Sequence, residues 1–434
     1  MKSFPSFLSS SLPKSKSKNL LILGFTLILI GVLLLVPTGY EGAVQFKDAV
    51  KCRARVESVD NSSIIDTGLI RSGQQVCRVT FLSGRFKGQS ADGWNLLTGS
   101  LSQDKIFHPG DVAQCVVHFS GDENSGNGSE SEKIDSKSAE NDSESAGGGS
   151  SKSSEKLSGG IGKSENSGNG GKTEIISVNL IDYYRLHGEL ILAFAFAAFL
   201  VVFAGFTGLR SVLSFVVTVL VLWKILVPLY LKGYNPIFVG LVVVAVLTFA
   251  ITALVYGFDR RLFSAFFGSM LGIFFAAVLS VVCTRAFHIH GAVMANSEAL
   301  LYSGYQYLNL TQIFMASVCV GASGSVMDLS VDITSAVSEV VRNCPEISRR
   351  NAAKSGLAVA RAAMGTMTTT LLLAYSGTCI ALLMTFMAQG TPLYNILNNN
   401  LVASEIINTV AGSFGLASTA PFTALVAGFL IARK

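Results

Sequence analysis

The sequence predicts an all-α polytopic membrane protein of about eight transmembrane helices, carrying a small extracytoplasmic, OB-like β-barrel inserted after the first. Three observations support this. Half of the 434 residues are hydrophobic and 14% are charged, a composition suited to a bilayer and not to a water-soluble globule. Apolar runs of about twenty residues, enough to cross a hydrocarbon core of about 30 Å, recur from residue 190 onward. Between the first and second runs lie short segments of alternating apolar and polar residues, separated by turn signals.

Residues 1–19 read as a cytoplasmic N-terminus whose Lys14, Lys16 and Lys18 precede a first anchor at 20–36. No small-residue cleavage site follows Pro37, so the anchor is expected to be uncleaved. Residues 44–119 read as the β-rich domain, with strands at 51–59, 75–82, 86–91 and 112–119. Turns at Ser83-Gly84 and Pro109-Gly110-Asp111 divide them. Cys52, Cys77 and Cys115 fall in this domain. In an oxidising space one pair can bridge, or all three can remain buried thiols. Residues 120–173, rich in Ser, Gly, Asn, Glu and Lys, cannot bury a core and are expected to form a disordered linker.

Seven further spans are expected at 190–208, 212–231, 237–256, 263–283, 311–327, 364–388 and 406–431, a membrane domain over 190–434. The N-terminal lysines, Arg210, Arg260/Arg261, the basic run Arg342–Arg361 and Arg433/Lys434 then share one side. The positive-inside tendency makes that side cytoplasmic, along with both termini.

The segment from Gly321 to Leu373 concentrates the chemistry. Asp328 ends an apolar run beside Gly321, Gly324 and Ser325, and carboxylates at membrane depth are costly unless they serve a function. A charged hairpin over 328–361 follows. Asp328, Asp332, Ser335 and Glu339 share one helical face, and Leu329, Ile333, Val337 and Val340 the other. Pro345 breaks the helix and Ser348 caps the next, whose Arg350, Lys354 and Arg361 repeat the spacing of the acidic face. Ion pairs between Glu339 and its acidic neighbours on one side and those basic residues on the other are expected to hold the hairpin along the cytoplasmic surface. Further polar residues at depth are Lys224, which either snorkels or pairs with Asp328 or Glu405; Thr366, Thr368, Thr369 and Thr370; Glu405, a cap for the last span; and Asn408, in a helix that Gly412, Gly415 and Pro421 are suited to break. His288-x-His290 lacks a further ligand in a rigid frame, so no metal site is expected.

The chain has no P-loop, HExxH, GxSxG or Ser/His/Asp order, so no enzyme and no cofactor is expected. Two tryptophans and no aromatic-basic patch argue against nucleic acid.

The chain resembles the YibE/F family of bacterial multi-pass membrane proteins through SGRFKGQ, NLLTG and DKIFHPGD in the β-rich region, LKGYNP after the third span, GASGSVMDLSVDITSAVSEV, SRRNAAKSGLAVARAAMGTMTTTLLLAYSG, and ASEIINTVAGSFGLASTAPFTAL. The resemblance implies a permease-like protein of the bacterial cytoplasmic membrane and names no substrate. A weaker similarity to SecD/SecF and RND-type proteins, a span ending in Asp followed by a Thr-rich re-entry, points toward proton coupling. The long linker departs from the family pattern and is expected to let the β-domain range farther from the membrane. Two functions follow as expectations. One is ion-coupled secondary transport of a small molecule or ion, with Asp328 as the coupling carboxylate. The other is a scaffold or regulatory protein whose β-domain binds an extracytoplasmic protein or cell-wall component.

Overall fold

The structure, a computed structural model, describes residues 14–40, 49–120 and 174–432. It divides into two compact units, residues 43–193 and residues 1–42 with 194–434.

The first unit is a β-barrel. Its strands are β1 (Ala49–Asp60), β2 (Ile64–Asp66), β3 (Arg71–Phe81), β4 (Ser90–Thr98), β5 (Val112–Ser120) and β6 (Glu174–Tyr183). β1 pairs with both β3 and β5, β3 with β4, β4 in parallel with β6, and β6 with β5. Five strands therefore close on themselves, and β2 extends β3 as a short ribbon. Side chains alternate faces along each strand. Cys52, Ala54 and Val56 of β1, Cys77, Val79 and Phe81 of β3, and Ala113, Cys115 and Val117 of β5 thus fill the interior with Phe86, Phe107 and Val178.

Two expectations are corrected here. The strand placed at 86–91 is displaced to 90–98, because Gly84 and Gly88 both adopt positive φ and make SGRFKGQ a turn. The domain also does not end at 119: the last barrel strand, β6, lies beyond the polar segment. Of the disordered linker expected at 120–173, Ser120 is the last residue of β5, and the remainder lies outside the described residues. Its flanks are opposed in the β5–β6 ladder, Ser120 against Glu174. The segment is therefore an excursion between two paired strands and adds nothing to the connection from barrel to helices, which after β6 consists of Tyr184 and Arg185.

Among the described residues, eight long helices follow the expected order: α1 (Lys14–Leu35), α2 (Leu186–Ala204), α3 (Phe206–Leu231), α4 (Pro236–Tyr256), α5 (Arg260–Ala286), α6 (Leu310–Asn343), α7 (Arg349–Ala388) and α8 (Asn400–Ile431). Seven of them, α2 to α8, are long and apolar enough to cross a membrane; α1 contributes the shorter apolar run Leu23–Leu35. Side-chain caps set several starts by accepting otherwise unpaired N–H groups. Asn235 accepts from Ile237 at 3.1 Å, Asn309 from Gln312 at 3.0 Å, Ser348 from Asn351 at 3.4 Å and Asn399 from Leu401 at 3.0 Å. In α3, Pro228 has no N–H to offer the Lys224 carbonyl, and the helix passes through a π-turn at Leu222–Leu226 just before it.

The core lies among α5, α6, α8 and the first part of α7. Lipid supplies no hydrophobic drive between helices, so close approach at small residues takes its place. A Cβ at Gly415 would stand 2.6 Å from that of Ala276, and one at Gly356 2.6 Å from Val337 Cγ2. Gly268 and Gly272 seat against Thr423 and Thr419. Leu329, Ile333, Val337, Ala352, Ala360, Leu416, Ala420 and Ala424 are buried there. Hydroxyl pairs cross the interface, Ser330 with Thr423 at 3.0 Å and Ser264 with Thr334 at 3.3 Å.

The hairpin expected along the surface after Asp328 is instead a prolongation of two spans. α6 runs unbroken through Asp328 to Asn343, and α7 continues from Arg349 into its apolar half.

Candidate functional site

Gly321, Gly324, Asp328, Asp332 and Glu339 recur on α6 at helical spacing and share one face. The opposite face, Val326, Ser330, Ile333 and Val337, is the one packed in the core. All five residues of the first face are exposed. Gly324 has open space above it, with nothing within 4 Å of a Cβ placed there. Two tyrosines flank the row. The Tyr256 hydroxyl of α4 donates to the Val331 carbonyl at 2.6 Å and lies 2.7 Å from Ser335 Oγ. The Tyr375 hydroxyl of α7 would meet a Cβ at Gly321 at 2.5 Å. Among the described residues, neither Asp328 nor Asp332 has an ion-pair partner. Counted from Leu310 at 1.5 Å per residue, Asp328 stands roughly 27 Å along α6, close to the far edge of a bilayer core about 30 Å thick.

The other candidates divide. The expected ion pairs across the hairpin are absent among the described residues. Glu339 bonds Arg342 on its own helix at 2.6 Å and accepts from Asn343 at 3.2 Å. Arg350, Lys354 and Arg361 are exposed on α7. The two helices join through Ile333, Val337 and Gly356, so their charged faces point away from the contact. Thr366, Thr368, Thr369 and Thr370 each donate to their own helix backbone, to Ala363, Met364, Gly365 and Thr366 at 2.8–3.0 Å.

Lys224 pairs with neither Asp328 nor Glu405. It donates to the Val36 carbonyl at 3.3 Å, one residue past the C-terminus of α1, where carbonyls lack helical partners. Asn408 donates to Glu405 at 3.3 Å. Glu405 is not the cap, a role taken by Asn399, and α8 is continuous through Pro421. Ala322 lies against Gly412 and Ser330 bonds Thr423. Interpolating between those levels sets Asp328 roughly 18 Å along the helix axis from Asn408, at 1.5 Å per residue. Asp328 and Asp332 are thus brought together, and Asn408 and Glu405 are not part of their site.

Tyr256 and Tyr375 were not singled out from the sequence. Tyr256, at a span end, reads as an ordinary interfacial anchor, and Tyr375, inside the span expected at 364–388, reads as one more large side chain of an apolar run. His290 uses Nδ1 to accept from Ala292 N at 3.2 Å, and no group of three His, Cys, Asp or Glu suited to a metal occurs among the described residues.

The barrel carries an open groove of about 470 Å³ lined by Lys51, Arg53, Tyr184 and Arg185 together with Asp182 and Glu189, and Arg185 pairs with Asp182 at 3.2 Å. Arg53 stacks 5.0 Å over the Tyr184 ring and lies 2.6 Å from His187 Nε2. Within the barrel, Cys52 and Cys115 are register partners on β1 and β5, and all three thiols are free and buried. Burial pushes Cys52 and Cys77 up to about 11 and Cys115 up to about 12.

These features define a polytopic helical membrane protein with a β-barrel ahead of its helical bundle. A family model described as YibE/F-like protein matches residues 192–433, more than half of the chain. The chain belongs to the YibE/F-like family. The match begins within α2 and covers the helical bundle. Neither the curated proteins nor the solved structures contain a match.

Proposed function

We propose that this chain is a permease-like protein of the bacterial cytoplasmic membrane, with both termini cytoplasmic, and that it couples movement of a small solute to an ion through Asp328. The observation that carries the reading is the exposed row of Gly324, Asp328 and Asp332 on α6, which Gly321 and the Tyr375 hydroxyl bound at one end. A carboxylate on a span is too costly to face hydrocarbon, so this row faces water or a permeating species. Gly324, with nothing within 4 Å of a Cβ placed there, leaves the space such a species needs. Asp332, one turn on, offers a second carboxylate to an ion leaving Asp328. The test is Asp328→Asn at matched membrane level in cells lacking the protein. Small molecules and ions inside the cells and in the medium are compared. Wild type restores the distribution and Asp328→Asn does not; equal restoration by both removes Asp328 from the mechanism.

The barrel groove favours a second reading, a scaffold or regulatory protein with an extracytoplasmic protein or cell-wall partner, because groups of both signs, Lys51, Arg53 and Arg185 with Asp182 and Glu189, gather beside Tyr184. An OB-like barrel is supported by the closed order β1–β3–β4–β6–β5 with its parallel β4–β6 pair. Removing the barrel for this test requires deletion through Tyr183, because a cut at 173 leaves β6 without its partners. Full function after that deletion ends the second reading.

A further inference from the structure

Arg210 sits one turn into α3, and its guanidinium is incompletely satisfied. Nη1 donates to the Leu254 carbonyl at the end of α4 at 3.3 Å, while Nε and Nη2 are buried without a hydrogen-bond partner. The Phe206 ring covers the group at 5.1 Å. Such orphaned donors on a charged group are costly, and native structures usually supply them with an acceptor.

Leu254, whose carbonyl Arg210 holds, lines a cavity of which Arg210 itself is not a lining residue. Leu254 and Phe258 line one part of it, and Phe25, Leu29, Val217 and Phe266 line others. Its volume is about 510 Å³, within the range of about 300–1,000 Å³ usual for ligand sites. The lining is almost wholly apolar and is drawn from α1, α3, α4 and α5. An apolar chamber with a cation bonded to one of its wall residues complements an amphiphile with a hydrocarbon tail and an anionic head. Arg210 and Leu254 lie at helix ends on the same side as Arg260, the first residue of α5. The distribution of basic residues makes that side cytoplasmic, where anionic lipids concentrate.

We propose that this cavity binds an anionic phospholipid of the surrounding bilayer. An acyl chain lies among α1, α3, α4 and α5, and the phosphate accepts from Nε and Nη2 of Arg210 once the half-exposed Phe206 ring swings aside. The fork of a guanidinium suits phosphate oxygens better than a point charge does. The cavity lining does not include Tyr256, Asp328 or Asp332, and the site does not depend on a transport role for Asp328.

The full chain is purified in detergent and titrated with phosphatidylglycerol or phosphatidylcholine. Bound lipid is counted by native mass spectrometry at low and high salt. The expected result is preferential retention of phosphatidylglycerol, weakened by salt. Arg210→Gln should weaken it about tenfold or more, as loss of charge-assisted hydrogen bonds implies, while the exposed Lys354→Gln leaves it unchanged. Ala250→Trp, which fills the cavity from its apolar side, should abolish retention by a route independent of the charge. Equal retention of the two lipids by wild type overturns the proposal. So does phosphatidylglycerol binding that survives either Arg210→Gln or Ala250→Trp.

Discussion

Gln75 shows how much one buried polar side chain organises. Its Nε2 donates to the Phe107 carbonyl at 2.9 Å and to Asn61 at 2.8 Å, and its Oε1 accepts from Phe107 N and Asn95 Nδ2, both at 3.0 Å. It therefore pins the loop before β5 to two strands. Gln75→Leu is expected to destabilise the barrel by about 3 kcal/mol, because it strands several buried groups; denaturant unfolding followed by Trp94 fluorescence measures it. The barrel thiols give a second residue-scale outcome. With burial holding them at about 11 to 12, roughly a thousandth or less of each is thiolate at pH 8, and the thiolate is the reactive form. Iodoacetamide at that pH, on reduced protein, should modify the exposed Cys344 and spare Cys52, Cys77 and Cys115 until denaturant is added, as read by peptide mass spectrometry. Early modification of these three would mean that the barrel opens readily.

At the scale of elements, the α5–α8 contact depends on absent side chains. Gly415→Val would drive a side chain into Ala276 and toward the Gly272 carbonyl, 3.2 Å from the added Cβ. The expected cost is about 1–3 kcal/mol, the usual range for overpacking, read as a lower melting temperature in detergent. An unchanged melting temperature would show that the two helices can separate freely. Much of this level was legible in the sequence. Runs of about twenty apolar residues have few alternative readings, and Pro345 followed by Ser348 marked the α6–α7 turn correctly. The continuity of α6 through Asp328 was not legible, because an isolated charge reads as a span end, although nothing in GASGSVMD breaks a helix. The absence of ion pairs across the hairpin among the described residues was not legible either. Matched charge spacing is a property of two faces, and Gly356 decided that the apolar faces would meet. Asp328 itself stood out from composition alone, whereas the tyrosines beside it came from other helices.

At the scale of the whole molecule, the closure of the barrel was hidden from the sequence by the polar segment, which placed β6 among the membrane helices and not among its sheet partners. Ser120 and Glu174 stand opposite one another, so the whole stretch from 121 to 173 is replaceable by an Asn-Gly turn of the kind that joins adjacent antiparallel strands. That variant should keep the barrel's melting temperature and the protein's membrane level, and loss of either would give the segment a structural role. The same arrangement has a temporal consequence. A chain emerging in order completes β4 and β5 long before β6 exists, and the Trp94–Asn179 pairing waits for some eighty further residues. Until then two strand margins remain without partners, the state in which sheets are most prone to pair with the wrong chain. Closing such distant pairings is slow. The rate at which this protein matures is therefore expected to be set by the arrival of ten residues that sit immediately before its second helix.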